Sequence, residues 1–160
     1  MNNTARVLPI TALNWFEMTF SDDPGGTVWG WNVDAGLEIV CGKPVELVSV
    51  AEVKHFAETY NVDLEYALSD SVDVSRPLLF VLLAGRVSAR AEVKAIGLPE
   101  AVLIDGVHRL TKAIHLGLTT LPARFLEPNE EPLARLSLAV LERLRWERQQ
   151  LEEVILRKAS

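Results

Sequence analysis

The chain has 160 residues and a formal net charge of −6 at pH 7, with an ordinary balance of apolar and charged side chains. That length suits one well-buried domain with an appendage, and the acidic balance argues against a broad electrostatic grip on DNA while leaving room for a local basic cluster. One cysteine, Cys41, excludes an intrachain disulfide and a cysteine-based zinc motif.

Residues 1–10 lack the basic start and continuous apolar run of a signal peptide. Residues 1–43 read as a β-rich extension. Segments 14–20 and 27–33 flank Ser21-Asp22-Asp23-Pro24-Gly25-Gly26, a strong turn cluster, and pair as a hairpin. Trp29, Trp31 and Val33 fall on one face at period two, as a small core or as a stacking surface. Residues 37–41 read as a third strand, with Cys41 as a buried hydrophobe because no base lies near it in sequence.

Residues 44–127 carry a mixed α/β pattern. Residues 45–48 form a strand, and Ser49 with Glu52 makes a capping box that opens a helix through Tyr60. A short helix follows over 62–68, then a polar loop over 70–75 and a strand over 78–83. The apolar run 77–84 suits a buried strand and is far too short to span a bilayer. Between the core strands, residues 86–100 make a long hairpin connection with a helical stretch at 88–95. A strand at 102–104, a helix from Gly106 to Leu116 stopped by Gly117, and a strand at 122–126 complete the domain. Residues 128–160 begin with an acidic, proline-bounded break and continue as a long helix over 133–157. Leu133, Val140, Leu144, Leu151 and Val154 form a coiled-coil-like seam, interrupted by Ser137 and Glu147, that either docks on its own domain or pairs with a second copy.

The chemistry concentrates in Val102-Leu103-Ile104-Asp105-Gly106-Val107-His108-Arg109-Leu110. A buried strand ends at Asp105-Gly106 and a helix starts at once, which aims unpaired amides and the helix dipole at one spot, an arrangement that attracts anions. Gly106 lets a phosphate approach the backbone, and Arg109 supplies a fork of donors for its oxygens. At 100° per residue Leu110, Ala113, Ile114 and Gly117 face the sheet, while His108, Lys112 and His115 share the opposite face. A solvated helix surface with Asp105 as a plain N-cap accounts for the same pattern. A metal held by His108 and His115 is not expected, because two turns at ~1.5 Å per residue separate them.

The run Ile104-Asp105-Gly106-Val107-His108-Arg109-Leu110, followed by Ala113, Gly117, Leu121-Pro122-Ala123 and Leu126, resembles the signature of the ParB/sulfiredoxin-like superfamily, as does the upstream Arg76-Pro77-Leu78-Leu79-Phe80-Val81. The resemblance covers residues 44–126, about half the chain. It implies an α+β, mixed-sheet core whose Gly-x-His/Arg-Arg turn binds nucleotide phosphates: CTP in partition proteins, ATP in sulfiredoxins, ADP or ATP in the related free-serine kinases. Val107 stands where sulfiredoxins carry their catalytic cysteine, which excludes that chemistry. His108 replaces the first arginine of partition proteins and one long helix replaces their DNA-binding domain, so sequence-specific DNA binding is not expected. The Asp-Gly-x-His-Arg form is nearest the kinases, which makes Asp105 a catalytic candidate with His108 beside it. Their second catalytic glutamate has no fixed counterpart here; Glu46, Glu52 and Glu65 are candidates.

The implied ligand is a nucleoside triphosphate or diphosphate with Mg²⁺, held by Gly106, Val107, His108, Arg109, Lys112 and Arg76. The expected protein is cytoplasmic and free of membranes. It is a nucleotide hydrolase or small-molecule kinase, or else a non-catalytic partition-like module that nucleotide regulates through homodimer pairing of the C-terminal helix. A vestigial pocket on the same fold is the third alternative.

Overall fold

The computed structural model describes residues 13–20, 26–87 and 99–159. In chain order its elements are β1 (Trp15–Thr19), β2 (Val28–Asn32), α1 (Val33–Val40), β3 (Glu46–Ser49), α2 (Val50–Val53), α3 (His55–Thr59) and α4 (Leu64–Ala67). There follow β4 (Leu78–Val87), β5 (Pro99–Asp105), α5 (Val107–His115), β6 (Thr120–Leu126), α6 (Glu131–Ala134) and α7 (Leu138–Ala159). This is the expected α+β mixture. It divides into two compact units, Ala35–Ala134 and the flanking segments up to Asp34 and from Arg135. None of the described helices is long and apolar enough to cross a membrane.

The sheet of the larger unit has the order β3-β6-β4-β5. β4 runs antiparallel to β5 and parallel to β6, and β3 is antiparallel to β6. Both faces of β4 are covered over residues 78–83, which is why that stretch is an unbroken apolar run rather than an alternation. On one face Leu78 and Phe80 join Phe56, Leu103, Leu110 and Leu121 in a core beneath α2, α3 and α5. On the other, α1 approaches so closely at Gly36 that an added Cβ would lie 3.1–3.2 Å from Leu126 and Leu79. Those contacts replace the third strand expected over 37–41. Val33, Gly36 and Val40 are buried at helical spacing, and Asp34 sits favourably in the first turn. Cys41, just beyond this helix, is exposed rather than buried.

The helix expected from Ser49 to Tyr60 is two short ones, and Ser49 makes no capping bond through its side chain. α4 has a working cap: the Asp63 carboxylate accepts from the Tyr66 amide at 3.1 Å. α5 ends as the sequence indicates. Gly117, at φ +71°, lets its own amide reach Ile114 O and the Leu118 amide reach Ala113 O, which closes the last turn. The helical stretch expected at 88–95 lies outside the described residues. The helix expected from residue 133 is interrupted: α6 ends at Ala134 and α7 starts at Leu138.

In the smaller unit β1 and β2 form the expected antiparallel hairpin, and α7 packs on it. Trp31 is fully buried and stacks with Phe16 at 6.4 Å between centroids, so it belongs to a core. Trp29 is half-buried with the Arg135 guanidinium 4.2 Å from its ring. Leu141 and Leu144 are the buried residues of α7. Leu133, Leu151 and Val154 of the expected seam are exposed. Arg145 pairs with Glu17 at 2.7 Å, and Arg148 lies 4.1 Å from the Trp15 ring. The tightest approach is at Gly30, where an added Cβ would collide with Leu141.

Gly30→Val is therefore expected to destabilise the smaller unit by about 1–3 kcal/mol, the usual cost of overpacking. Gly42→Ala, with open space around it, should stay within about 0.5 kcal/mol of the parent. Denaturant unfolding followed by tryptophan fluorescence distinguishes the two.

Candidate functional site

The site residues are placed by an irregularity at the end of β5. Leu79 pairs with Asp105 and Phe80 with Leu103, so Ile104 is an extra residue and the ladder is bulged there. A bulge bends its strand and re-aims the next side chain, here Asp105. Gly106 follows at φ +108° as the N-cap of α5, a conformation that L side chains rarely adopt. The first intrahelical bond joins the Leu110 amide to Gly106 O at 3.0 Å. The amides of Val107, His108 and Arg109 thus precede any intrahelical acceptor, and Gly106 has no side chain to cap them.

Gly106 has a packing role that the sequence reading did not include. The position of its missing Cβ is 2.6 Å from Leu78 Cδ2 and 2.8 Å from Arg109 Nη2. That side of the turn is filled, so a ligand does not approach there. Arg109 is itself buried, with 8% exposure. Its Nη2 donates to Asp105 Oδ2 at 2.9 Å and its Nη1 to Pro77 O at 3.1 Å. The guanidinium expected to grip phosphate is an internal clamp between the ends of β5 and the chain entering β4. Asp105, the expected catalytic base, is the other half of that ion pair.

Two more predicted cations are also engaged. Lys112 Nζ donates to Ser69 O at 2.7 Å and to Val72 O at 2.9 Å, holding the loop before β4, and does not line the cleft described next. His108 Nε2 accepts from the Asp63 amide at 3.3 Å. A nitrogen that accepts carries no hydrogen, so Nδ1 is the donor side of the ring in that bond. The ring also meets Tyr66 edge-on at 5.2 Å. His115 donates from Nδ1 to Thr111 O at 3.1 Å, one turn back on its own helix. The Val107 side chain packs against the core.

What the turn does offer is a polar cleft of about 170 Å³, lined by Tyr66, Asp73, Arg76, Asp105, Gly106 and His108 among others. Arg76 is exposed, and its guanidinium meets no acceptor among the described residues. Asp73 was not anticipated. Its Oδ1 accepts from the Ser75 amide at 2.9 Å and the Ser75 hydroxyl at 2.6 Å, and these bonds, aided by Arg76 and Lys112, hold its carboxyl below the usual range. The Asp-x-Ser spacing ahead of Arg76-Pro77 carried that signal. Of the predicted set, Asp105, Gly106, His108, Arg109 and Arg76 converge on the cleft. A larger groove of about 510 Å³, bordered by Tyr60, Leu64, Ile114 and His115, contains none of the turn's residues. The polar cleft is the better chemical site because charged groups converge there.

Asp73 and Asp105 each keep one carboxylate oxygen outside the bonds given above. One or two such carboxylates together with ligand phosphates suit Mg²⁺, which retains much of its water. No cluster of three or more metal-ligating side chains occurs among the described residues.

Arg109→Ala leaves Pro77 O and the Asp105 carboxylate without their partner. It is expected to lower stability by about 1–3 kcal/mol, read as a shift in the urea midpoint at unchanged slope. Arg109→Lys should recover only part, because one ammonium cannot reproduce the fork.

Neither a protein-family model, nor a curated protein, nor a solved structure matches this chain.

Proposed function

We propose that the larger unit binds the phosphate end of a nucleotide in the cleft at the start of α5. The observation that carries this reading is the convergence, around about 170 Å³ at the start of α5, of His108 with Arg76, whose guanidinium meets no acceptor among the described residues. Cavities that enclose whole small-molecule ligands measure roughly 300–1,000 Å³, so this one takes phosphates and leaves the sugar and base outside. The resemblance of Ile104–Leu126 to ParB/sulfiredoxin-like proteins points to the same ligand class.

The division of labour differs from the one the motif implies. Arg76 makes the direct charge-assisted contact, while Arg109 fixes the turn. His108 donates from Nδ1. Mg²⁺ arriving with the phosphates would be held by Asp73 and Asp105 and would neutralise phosphate charge. Because Asp105 is paired with Arg109, binding is the reading the geometry favours. Turnover, as hydrolysis or transfer to a small hydroxyl compound, requires Asp105 to leave that pair and accept a proton. The non-catalytic alternative draws on the exposed Leu151, Val154 and Ile155 of α7, a surface suited to a second copy.

Calorimetry of the full chain with ATP, ADP, CTP and GTP in the presence of Mg²⁺ tests the reading. At least one nucleotide should bind, and Arg76→Ala should weaken it by about 1.5–3 kcal/mol, the range for a bond to a charged group, with unchanged thermal stability. Absence of heat with all four ends the proposal. If phosphate is released or transferred, Asp105→Asn should stop turnover and largely spare affinity. If ligand binds without turnover, light scattering should show a change in oligomer size.

A further inference from the structure

A second cleft, of about 150 Å³, shares Arg76, Asp105 and Arg109 with the first and adds Arg124 and the aliphatic side chains of Leu37 and Val40. The charge count is informative. Arg109 is neutralised by Asp105 at 2.9 Å, which leaves the cleft with two further guanidinium groups. Arg124 is half-buried on β6, and its Nε donates to Lys43 O at 3.1 Å. That bond engages Nε, and among the described residues neither terminal nitrogen meets an acceptor. Lys43 is not a competitor for the same ligand, since its ammonium is engaged by Glu130 and by Phe125 O. A half-buried guanidinium fork without an anionic partner among the described residues, beside a second one, favours an oxyanion with two acceptor oxygens. Leu37, half-buried, supplies an apolar wall beside it.

We infer that this cleft is a second oxyanion subsite, in which the terminal nitrogens of Arg124, assisted by Arg76, hold a carboxylate or phosphate while Leu37 receives any short aliphatic portion. The inference rests on Arg124 and its cleft and stands whether or not the first cleft binds nucleotide. The oxyanion has two chemical sources: a separate small aliphatic carboxylate, or a second phosphate of a molecule whose first phosphate lies in the neighbouring cleft. Arg76 and the Asp105–Arg109 pair border both spaces, so occupancy of one alters the charge felt in the other.

Butyrate, inorganic phosphate and pyrophosphate serve as probes of the intact chain, read by calorimetry and by the Nε–Hε resonance of Arg124. If the source is a carboxylate, butyrate shifts that resonance, and Arg124→Gln weakens butyrate at least tenfold while changing nucleotide or phosphate affinity less than twofold. If the source is a second phosphate, pyrophosphate binds at least tenfold more tightly than phosphate, and Arg124→Gln abolishes that advantage. The proposal is overturned if saturation with butyrate and with pyrophosphate both leave the Arg124 resonance of the parent protein unmoved, a result that needs no variant to fold. It is equally overturned if the folded Arg124→Gln protein, checked by circular dichroism, binds every probe as the parent does. Nucleotide titration of the parent protein without other probes reports on the first reading, and the butyrate response of the Arg124 resonance is read without nucleotide, so failure of either is separately visible.

Discussion

The geometry of the candidate site hangs on one buried guanidinium. Arg109 reaches back from the first turn of α5 to Asp105 at the end of β5 and across to the carbonyl of Pro77, where the chain enters β4. A planar group with donors in fixed directions bridges these two acceptors from two different nitrogens and holds their relative orientation, which a single ammonium nitrogen does less strictly. The bridge joins a strand end, a helix start and the neighbouring strand's entrance, and Gly106 is required in part because Arg109 and Leu78 occupy the space a side chain would need. Both clefts open against this bridge.

The bridge changes what the motif means chemically. A row of Asp, His, Arg and Lys reads as a set of ligand-binding groups. In the folded chain Lys112 satisfies two loop carbonyls, Arg109 satisfies Asp105, and His108 accepts a backbone amide. Buried or half-buried polar groups must find partners, because leaving one unpaired costs about 1–3 kcal/mol, and the nearest partners are internal. The other charged groups that border the clefts come from elements outside α5: Arg76 before β4, Asp73 in the preceding loop, and Arg124 on β6.

Much of the fold was legible because its signals are local. The apolar run around Phe80, the glycine that stops α5 and the hairpin strands around Trp29 and Trp31 follow from periodicity and turn chemistry alone. Residues 37–41 were misread as a strand because five apolar-rich residues look alike in either state. Only the longer spacing from Val33 through Gly36 to Val40 marks the helix, and Gly36 is there because the sheet lies too close for a side chain. Ser49 and Glu52 fit a capping box in sequence, yet the Ser49 amide belongs to β3 and its side chain leaves the helix uncapped. At the site, position was legible and role was not. The turn could be located from Asp105-Gly106, but whether Arg109 faces a ligand or its own aspartate depends on Pro77, which is 32 residues away.

The two bonds from Lys112 have a mechanical consequence. They fasten the carbonyls of Ser69 and Val72 to the middle of α5, so the wall that carries Asp73 and the helix that carries His108 are cross-braced. A wall so braced gains its order with the helix rather than separately, and local opening of the loop must break contacts to α5 as well. The aperture between them is accordingly set by the fold, and a guest that fits it meets a frame already in place, with little ordering cost left to oppose its arrival.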